Sequence, residues 1–246
     1  MLSQEQIKAF YHDHFVESQI NNFLKLFGQS PHLPKRVVVD VGGGCGYFAK
    51  GLANRSDFTV RVLDSDTQSI TTCLGSGLDA RCENALAPKI VGDENVVCFN
   101  LILHHLVGPS DAITLTLQKQ ALLAWRGRAS AIFVDEYIYD SYIGNLSGWL
   151  IYTITSSSLL SAIGRSVSRF MPSLRANTFG VGVRFRSQRE WIAIFEALGF
   201  TVTGTVRGHE EAVSIPRRLL MIRSCRRDSF LLQTRASPAI KQLSSL

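Results

Sequence analysis

Residues 37–48 read VVVDVGGGCGYF, a short apolar run that ends in an acid and passes directly into glycines at 42, 43, 44 and 46. A run of valines predicts a strand buried on both faces, which in α/β proteins is a parallel strand. Glycine is favoured where φ is positive or where another group lies against the backbone, so a cluster of glycines predicts a tight turn shaped as a cradle. Such a turn, between a parallel strand and the helix after it, is where open α/β sheets take ligands.

Spacing narrows the ligand. A dinucleotide fingerprint, G-x-G-x-x-G, requires a further glycine where Tyr47 or Ala49 stands, and no Gly-Lys-Ser/Thr follows to complete a phosphate loop. The segment 40–46 instead matches D-x-G-x-G-x-G and resembles the first motif of the class I S-adenosylmethionine-dependent methyltransferases. That resemblance implies that Asp40, Gly42, Gly43, Gly44 and Gly46 hold the methionine part of S-adenosylmethionine, and that an acid ending the second strand binds both ribose hydroxyls. A carboxylate suits a diol, because its two oxygens can accept from two O–H donors. The next apolar run, residues 59–64, ends in Asp64 about two dozen residues after Asp40, room for one turn, one helix and one strand. Asp64 is therefore the expected ribose ligand, with Ser65 beside it, and Asp66 the expected cap of the following helix.

The resemblance covers most of the chain. Residues 78–86 are similar to the family's third strand and the segment after it, whose acid or amide reaches the adenine amino group; here Asn84 holds that position, followed by Ala85. Residues 96–100 predict a buried fourth strand, which leads through Leu101 into a Leu-His-His-Leu stretch similar to that of many small-molecule members. Asn100 and Leu101 are expected to border the cofactor, and Tyr11, in an N-terminal helical lid over residues 1–30, to fold across it. Ser110 predicts the cap of a helix over 111–125 with Ile113, Leu117 and Ala121 on one side, and residues 131–135 predict a fifth strand. Ser187 opens an amphipathic helix carrying Trp191, Ile194, Phe195 and Leu198, which Gly199 stops; strands at 201–206 and 219–224 follow. The fold class is thus α/β, a doubly wound, seven-stranded, mostly parallel sheet whose last strand is antiparallel. One domain over 1–246 is expected, with a cofactor-binding half at 35–136, a substrate-binding insertion at 137–186, a C-terminal helix and hairpin at 187–228 and a tail at 229–246.

Residues 141–164 carry no charge, and as one helix they would span about 36 Å, enough for a bilayer. Asn145, six serines, Thr153 and Thr155 dilute the stretch, and it lies between two elements of one sheet, so it is read as part of the insertion rather than a membrane span. The resemblance makes that insertion the cover of the substrate. Tyr137, Tyr142, Trp149 and Tyr152 are expected to wall an apolar pocket, and Arg184 with Arg186 either to clamp a carboxylate or phosphate of the substrate or to be surface arginines. Cysteines 45, 73, 82, 98 and 225 show no C-x-x-C spacing and are odd in number, as expected of reduced residues in a cytoplasmic protein; the polar first ten residues do not read as a signal peptide. No metal is expected, since His12 and His14 would point to opposite faces of a helix.

The chemistry implied is in-line transfer of a methyl group, for which the protein must hold nucleophile, carbon and sulfur collinear and supply a base only to acceptors that arrive protonated. His104 and His105, just beyond the fourth strand, are the candidate bases, and at most one of them should face the methyl group; a purely structural role for both is the competing reading. Asp135 and Glu136 end the fifth strand and read more readily as caps or solvated charges than as groups that orient substrate or a histidine. The expected function is methylation of oxygen or nitrogen in a small, partly aromatic or apolar metabolite, leaving S-adenosylhomocysteine. Net charge +6, a pI near 9.2 and arginines at 207, 217, 218, 223, 226, 227 and 235 keep an RNA-methylating alternative open. Against it, no Asn/Asp-Pro-Pro-Tyr/Phe motif follows the fourth strand, and a small-molecule substrate is preferred to a nucleic acid. A non-catalytic cofactor-binding homologue is the other alternative, and an aromatic-rich insertion could pair two subunits as a homodimer.

Overall fold

A computed structural model describes residues 13–27, 37–170 and 178–234. Seven strands form one sheet: β1 (Val37–Val41), β2 (Thr59–Asp64), β3 (Asp79–Cys82), β4 (Val96–Asn100), β5 (Ala131–Ser141), β6 (Phe200–Arg207) and β7 (Ile222–Thr234). Their order is β3-β2-β1-β4-β5-β7-β6. The first five pair in parallel, while β7 runs antiparallel to both β5 and β6. The described helices are α1 (Asp13–Phe27), α2 (Tyr47–Arg55), α3 (Thr67–Gly75), α4 (Asp111–Leu123), α5 (Leu146–Ser156), α6 (Ser158–Phe170), α7 (Gln188–Ala197) and α8 (Ile215–Leu219).

The central strands are apolar throughout because helices cover both faces of the sheet, and successive side chains feed opposite layers. Val39, Val97, Phe99, Ile132 and Val134 enter one core with Leu122 of α4 and Trp191 and Phe195 of α7. Val38, Val96, Cys98 and Phe133 enter the other with Phe23 of α1 and Phe48 and Leu52 of α2. Helix α7 starts as expected, with Ser187 and Glu190 forming a reciprocal capping box, and Gly199 follows it at φ +75°.

Three elements depart from the sequence expectation. Strand β5 continues to Ser141 instead of stopping at Asp135, and β7 covers 222–234, so residues 229–234 lie inside the sheet rather than in a tail. The charges that seemed to end these strands are neutralised between them: Arg226 is buried, its Nη1 2.6 Å from Asp140 Oδ2 and its Nε 3.0 Å from Asp228 Oδ1. In α4, Ile113 faces solvent, and Thr114 and Gln118 are buried beside Ala121 and Leu122. Those two polar side chains turn inward because the loop before the helix needs them: Thr114 Oγ1 accepts from Gly108 N, and Gln118 Nε2 donates to the Leu103 carbonyl. The uncharged stretch 141–164 is divided into α5 and α6, which are bent by 100° at their junction; among the described residues no single helix is long and apolar enough to cross a membrane.

Helix α1 runs antiparallel to β5 along its face. Ser18 accepts from Arg227 Nη2, Gln19 Nε2 donates to Asp135, and Phe23 meets Phe133 with ring centroids 5.4 Å apart. The start of α1 therefore stands at the carboxyl edge of the sheet; Tyr11 and the proposed lid contact lie outside the described residues. Phe23 also packs on Phe27, Phe48 and Phe58. Phe23→Ala is expected to cost about 3–5 kcal/mol in urea unfolding, the range for emptying a buried aromatic site. A loss below about 1 kcal/mol would mean that α1 is not an integral part of the core.

Candidate active site

The site begins at the turn between β1 and α2. Gly42, Gly44 and Gly46 have φ of +70°, +54° and +76°, and Gly42 N donates to the Leu63 carbonyl at 2.7 Å, tying the turn to β2. The glycines are demanded by the protein's own atoms. A Cβ on Gly43 would lie 2.5 Å from Asp40 Oδ2, one on Gly42 2.6 Å from Ile102 Cγ1, and one on Gly46 2.5 Å from Leu78 Cδ1. Asp64 then holds the turn from the next strand, its Oδ2 accepting from Gly44 N at 2.8 Å and its Oδ1 from Asp66 N at 2.9 Å. Asp66 caps α3 by accepting from Ser69 N, as expected, and Ser65 beside it is exposed. Asn84 is exposed at the end of the next loop, where its Oδ1 accepts from Leu86 N; Ala85 is half-buried against the core.

Asp40 is fully buried. Its Oδ1 accepts from Asn100 Nδ2 at 2.9 Å, while Asp40 Oδ2 and Asn100 Oδ1 are buried without a hydrogen-bond partner among the described residues. Burial pushes the Asp40 carboxyl up to about 7, partly offset by the Asn100 bond and reinforced by the Asp64 charge. Two orphaned acceptors under a bare glycine turn suit a ligand group that is cationic or rich in N–H donors. Leu101, the next residue, holds φ +56°, a conformation that costs a non-glycine residue about 1 kcal/mol or more, and its N–H donates to the Asp135 carbonyl. That strain bends the chain out of β4 toward the histidines.

Leu103–His105 form a single 3-10 turn whose first amides are capped by Glu136. Glu136 Oε1 accepts from Leu103 N at 2.7 Å, and Oε2 lies 2.7 Å from His104 Nδ1. Glu136 is thus both a cap and the partner of a histidine, where the sequence reading favoured a cap or a solvated charge over a histidine partner. A carboxylate on Nδ1 fixes the tautomer with its proton there and leaves Nε2 as the basic nitrogen. Asp135 serves structure instead: it is buried and accepts from Ser229 and Gln19. His105 stands 4.2 Å from His104 by ring centroids, and burial pushes its imidazole down to about 3, so it stays neutral at any physiological pH.

Around the histidines lie Tyr137 and Tyr139, from the extension of β5, and Phe185. Phe185 stacks on Tyr139 at 4.3 Å and 12° and lies 4.9 Å from His104. Burial pushes the Tyr137 phenol up to about 12, so it remains a donor. Sequence reasoning missed Phe185 as a site residue because it stands between Arg184 and Arg186, which read as a substrate clamp or as surface charges. The structure inverts this. Arg184 is fully buried, bonded to Asp111, Glu190 and the Phe185 carbonyl, and Arg186 lies beside it on Gln118 and Glu190. Arg184 is therefore a fastening of this strand-like segment to α4 and α7, not a substrate clamp. Tyr152 is likewise buried, its hydroxyl donating to the Gly108 carbonyl at 2.7 Å, and Tyr142 and Trp149 share no ring contact with the histidine cluster. Among the described residues no group of His, Cys, Asp or Glu is placed to hold a metal ion.

Between pH 4 and 7 the folded chain holds a proton on Asp40 that the unfolded chain has released, so Asp40 contributes stability that is present at low pH and lost as the pH rises toward 7. The isosteric Asp40→Asn should flatten this part of the stability profile when urea unfolding is compared at pH 4.5 and 7.5. Equal slopes in the two proteins would show that Asp40 titrates normally.

No protein-family model and no curated protein sequence matches the chain. Solved structures do resemble it. A SAM-dependent methyltransferase from Leishmania major superposes with TM-score 0.56 at 13% identity, over 90% of this chain and 74% of its own. Magnesium protoporphyrin IX methyltransferase from Synechocystis, with bound SAH, gives 0.53 at 12% over 95% and 89%, and the MccD protein 0.55 at 11% over 89% and 97%. At these identities the likeness is one of architecture, and it assigns this chain the seven-stranded α/β fold of the class I methyltransferases.

Proposed function

We propose that the protein transfers a methyl group from S-adenosylmethionine to an oxygen or nitrogen of a small, partly aromatic acceptor. The observation that carries this reading is the meeting, at one sheet edge, of the unsatisfied Asp40–Asn100 pair and the His104–Glu136 dyad. S-adenosylmethionine supplies, when bound, an electrophilic methyl on a positive sulfonium. Asp40 and Asn100 offer acceptors to its ammonium end across the glycine turn, Asp64 and Ser65 offer acceptors to the ribose, and Asn84 with Ala85 and Leu101 borders the base. Each Asp64 oxygen accepts one backbone N–H and keeps a lone pair for a hydroxyl.

On the acceptor side, Tyr137, Tyr139 and Phe185 give flat half-buried surfaces that suit an aromatic ring. His104 takes the acceptor's proton at Nε2, and Glu136 across the ring steadies the imidazolium that results. His105, held neutral, lines the site without competing for the proton. Two of the arginines on which the RNA-methylating alternative rests are engaged within the protein: Arg226 is buried between Asp140 and Asp228, and Arg207 pairs with Glu210.

Calorimetric titration with S-adenosylhomocysteine tests the cofactor half, and Asp64→Ala should weaken binding by about 1.5–3 kcal/mol, the worth of charge-assisted hydrogen bonds. No heat and no thermal shift at saturating ligand would end the proposal. The acceptor half is tested by transfer of labelled methyl to a panel of phenols and amines. For a protonated acceptor, His104→Gln and Glu136→Gln should each lower kcat by about 10²–10⁴ while leaving S-adenosylhomocysteine affinity intact. Unchanged kcat in both would leave transfer to positioning alone.

A further inference from the structure

Residues 141–189 contain no aspartate or glutamate; Arg184 and Arg186 of this stretch are buried on partners from α4 and α7, whereas Arg165 and Arg169 are exposed on α6. Within this acid-free stretch α6 is amphipathic in the wrong sense for a soluble surface helix. Its inner side carries Ser161 and Gly164 beside the half-buried Leu160: Ser161 Oγ donates to the Ile154 carbonyl, and a Cβ on Gly164 would lie 2.6 Å from the Phe179 ring. Its outer side carries Leu159, Ile163 and Val167, which are 69%, 52% and 40% exposed. Residues four apart lie on one helical stripe, so the three form a continuous apolar line, with Arg169 exposed at its flank. Trp149 of α5, 46% exposed, and Ile143 and Val181, exposed more fully, stand on the same insertion.

We propose that this α5–α6 face seats on an anionic lipid bilayer, with α6 lying in the interface and its apolar line reaching the acyl boundary. An exposed apolar stripe on a helix whose only charges are Arg165 and Arg169 is what such a surface requires. A second copy of the chain fits less well: a two-fold contact would set this acid-free patch against its own image and offer the arginines no counter-charge. The inference stands apart from the methyl-transfer reading, since it uses none of the residues at the sheet edge.

The test mixes the full chain with vesicles of phosphatidylcholine and phosphatidylglycerol in equal parts, and with phosphatidylcholine alone. Trp125 and Trp191 are buried, so a blue shift of tryptophan emission on lipid addition reports Trp149. Expected are co-sedimentation and a blue shift with the anionic vesicles, weakened by raising salt to about 1 M. The double variant Leu159→Glu, Ile163→Glu should lose more than about tenfold in partitioning, with its thermal midpoint and S-adenosylhomocysteine response unchanged, because both sites are exposed. The proposal is overturned by the absence of binding to either vesicle, by equal binding to both, or by a double variant that binds like the parent. It is also overturned if sedimentation equilibrium finds a dimer that the double variant dissolves while neither protein binds lipid.

Discussion

The parallel register of β1, β4 and β5 is the constraint on which the site depends. Asp40 pairs opposite Cys98 and Asn100 opposite Asp135, so three strands end their polar residues within a few ångströms at one edge. A shift of one residue in β4 would send Asn100 to the opposite layer and leave Asp40 buried with no partner at all. Because the strands are apolar on both faces, such a slip would also exchange the two cores, which differ in shape: tryptophans and Phe195 on one side, the ring cluster around Phe23 on the other. Packing in both layers therefore fixes the placement of two buried polar groups that contribute little to stability by themselves.

The parts of this arrangement that were legible in the sequence are those in which local pattern and tertiary environment agree. The valine run and its glycines, the acid that ends β2 and the capped helix at Ser187 each announce themselves within a dozen residues. The parts that were not legible are those in which a long-range partner reverses a local rule. Arg226 and Asp228 hide β7 because their neutralisation comes partly from Asp140, on another strand. Arg184 and Arg186 point inward and Phe185 toward the site because Asp111, Gln118 and Glu190, distant in sequence or on the next helix, accept the guanidinium protons. Which of the two acids ending the fifth strand would reach a histidine was not legible, since Glu136 and His104 are separated by a helix and part of a strand.

Buried charge is a costly means of fastening, because desolvation offsets most of the Coulomb gain. Here the buried pairs sit where geometry matters more than net stability: Arg226 between Asp140 and Asp228 holds the part of β5 that carries Tyr137 and Tyr139, and Arg184 holds the segment that carries Phe185. Replacing them with apolar residues of equal volume need not weaken the fold, but it would free the aromatic surfaces to repack against each other.

The glycine turn carries a separate lesson. Its glycines are occupied from within, by Ile102, the Asp40 carboxylate and Leu78, before any ligand arrives. A side chain at Gly42, Gly43 or Gly46 would therefore press on the protein itself, and one at Gly44 would be strained at φ +54°, whether or not a ligand is ever bound. The glycine signature is thus as much a requirement of the turn's own packing as a mark of any ligand held there.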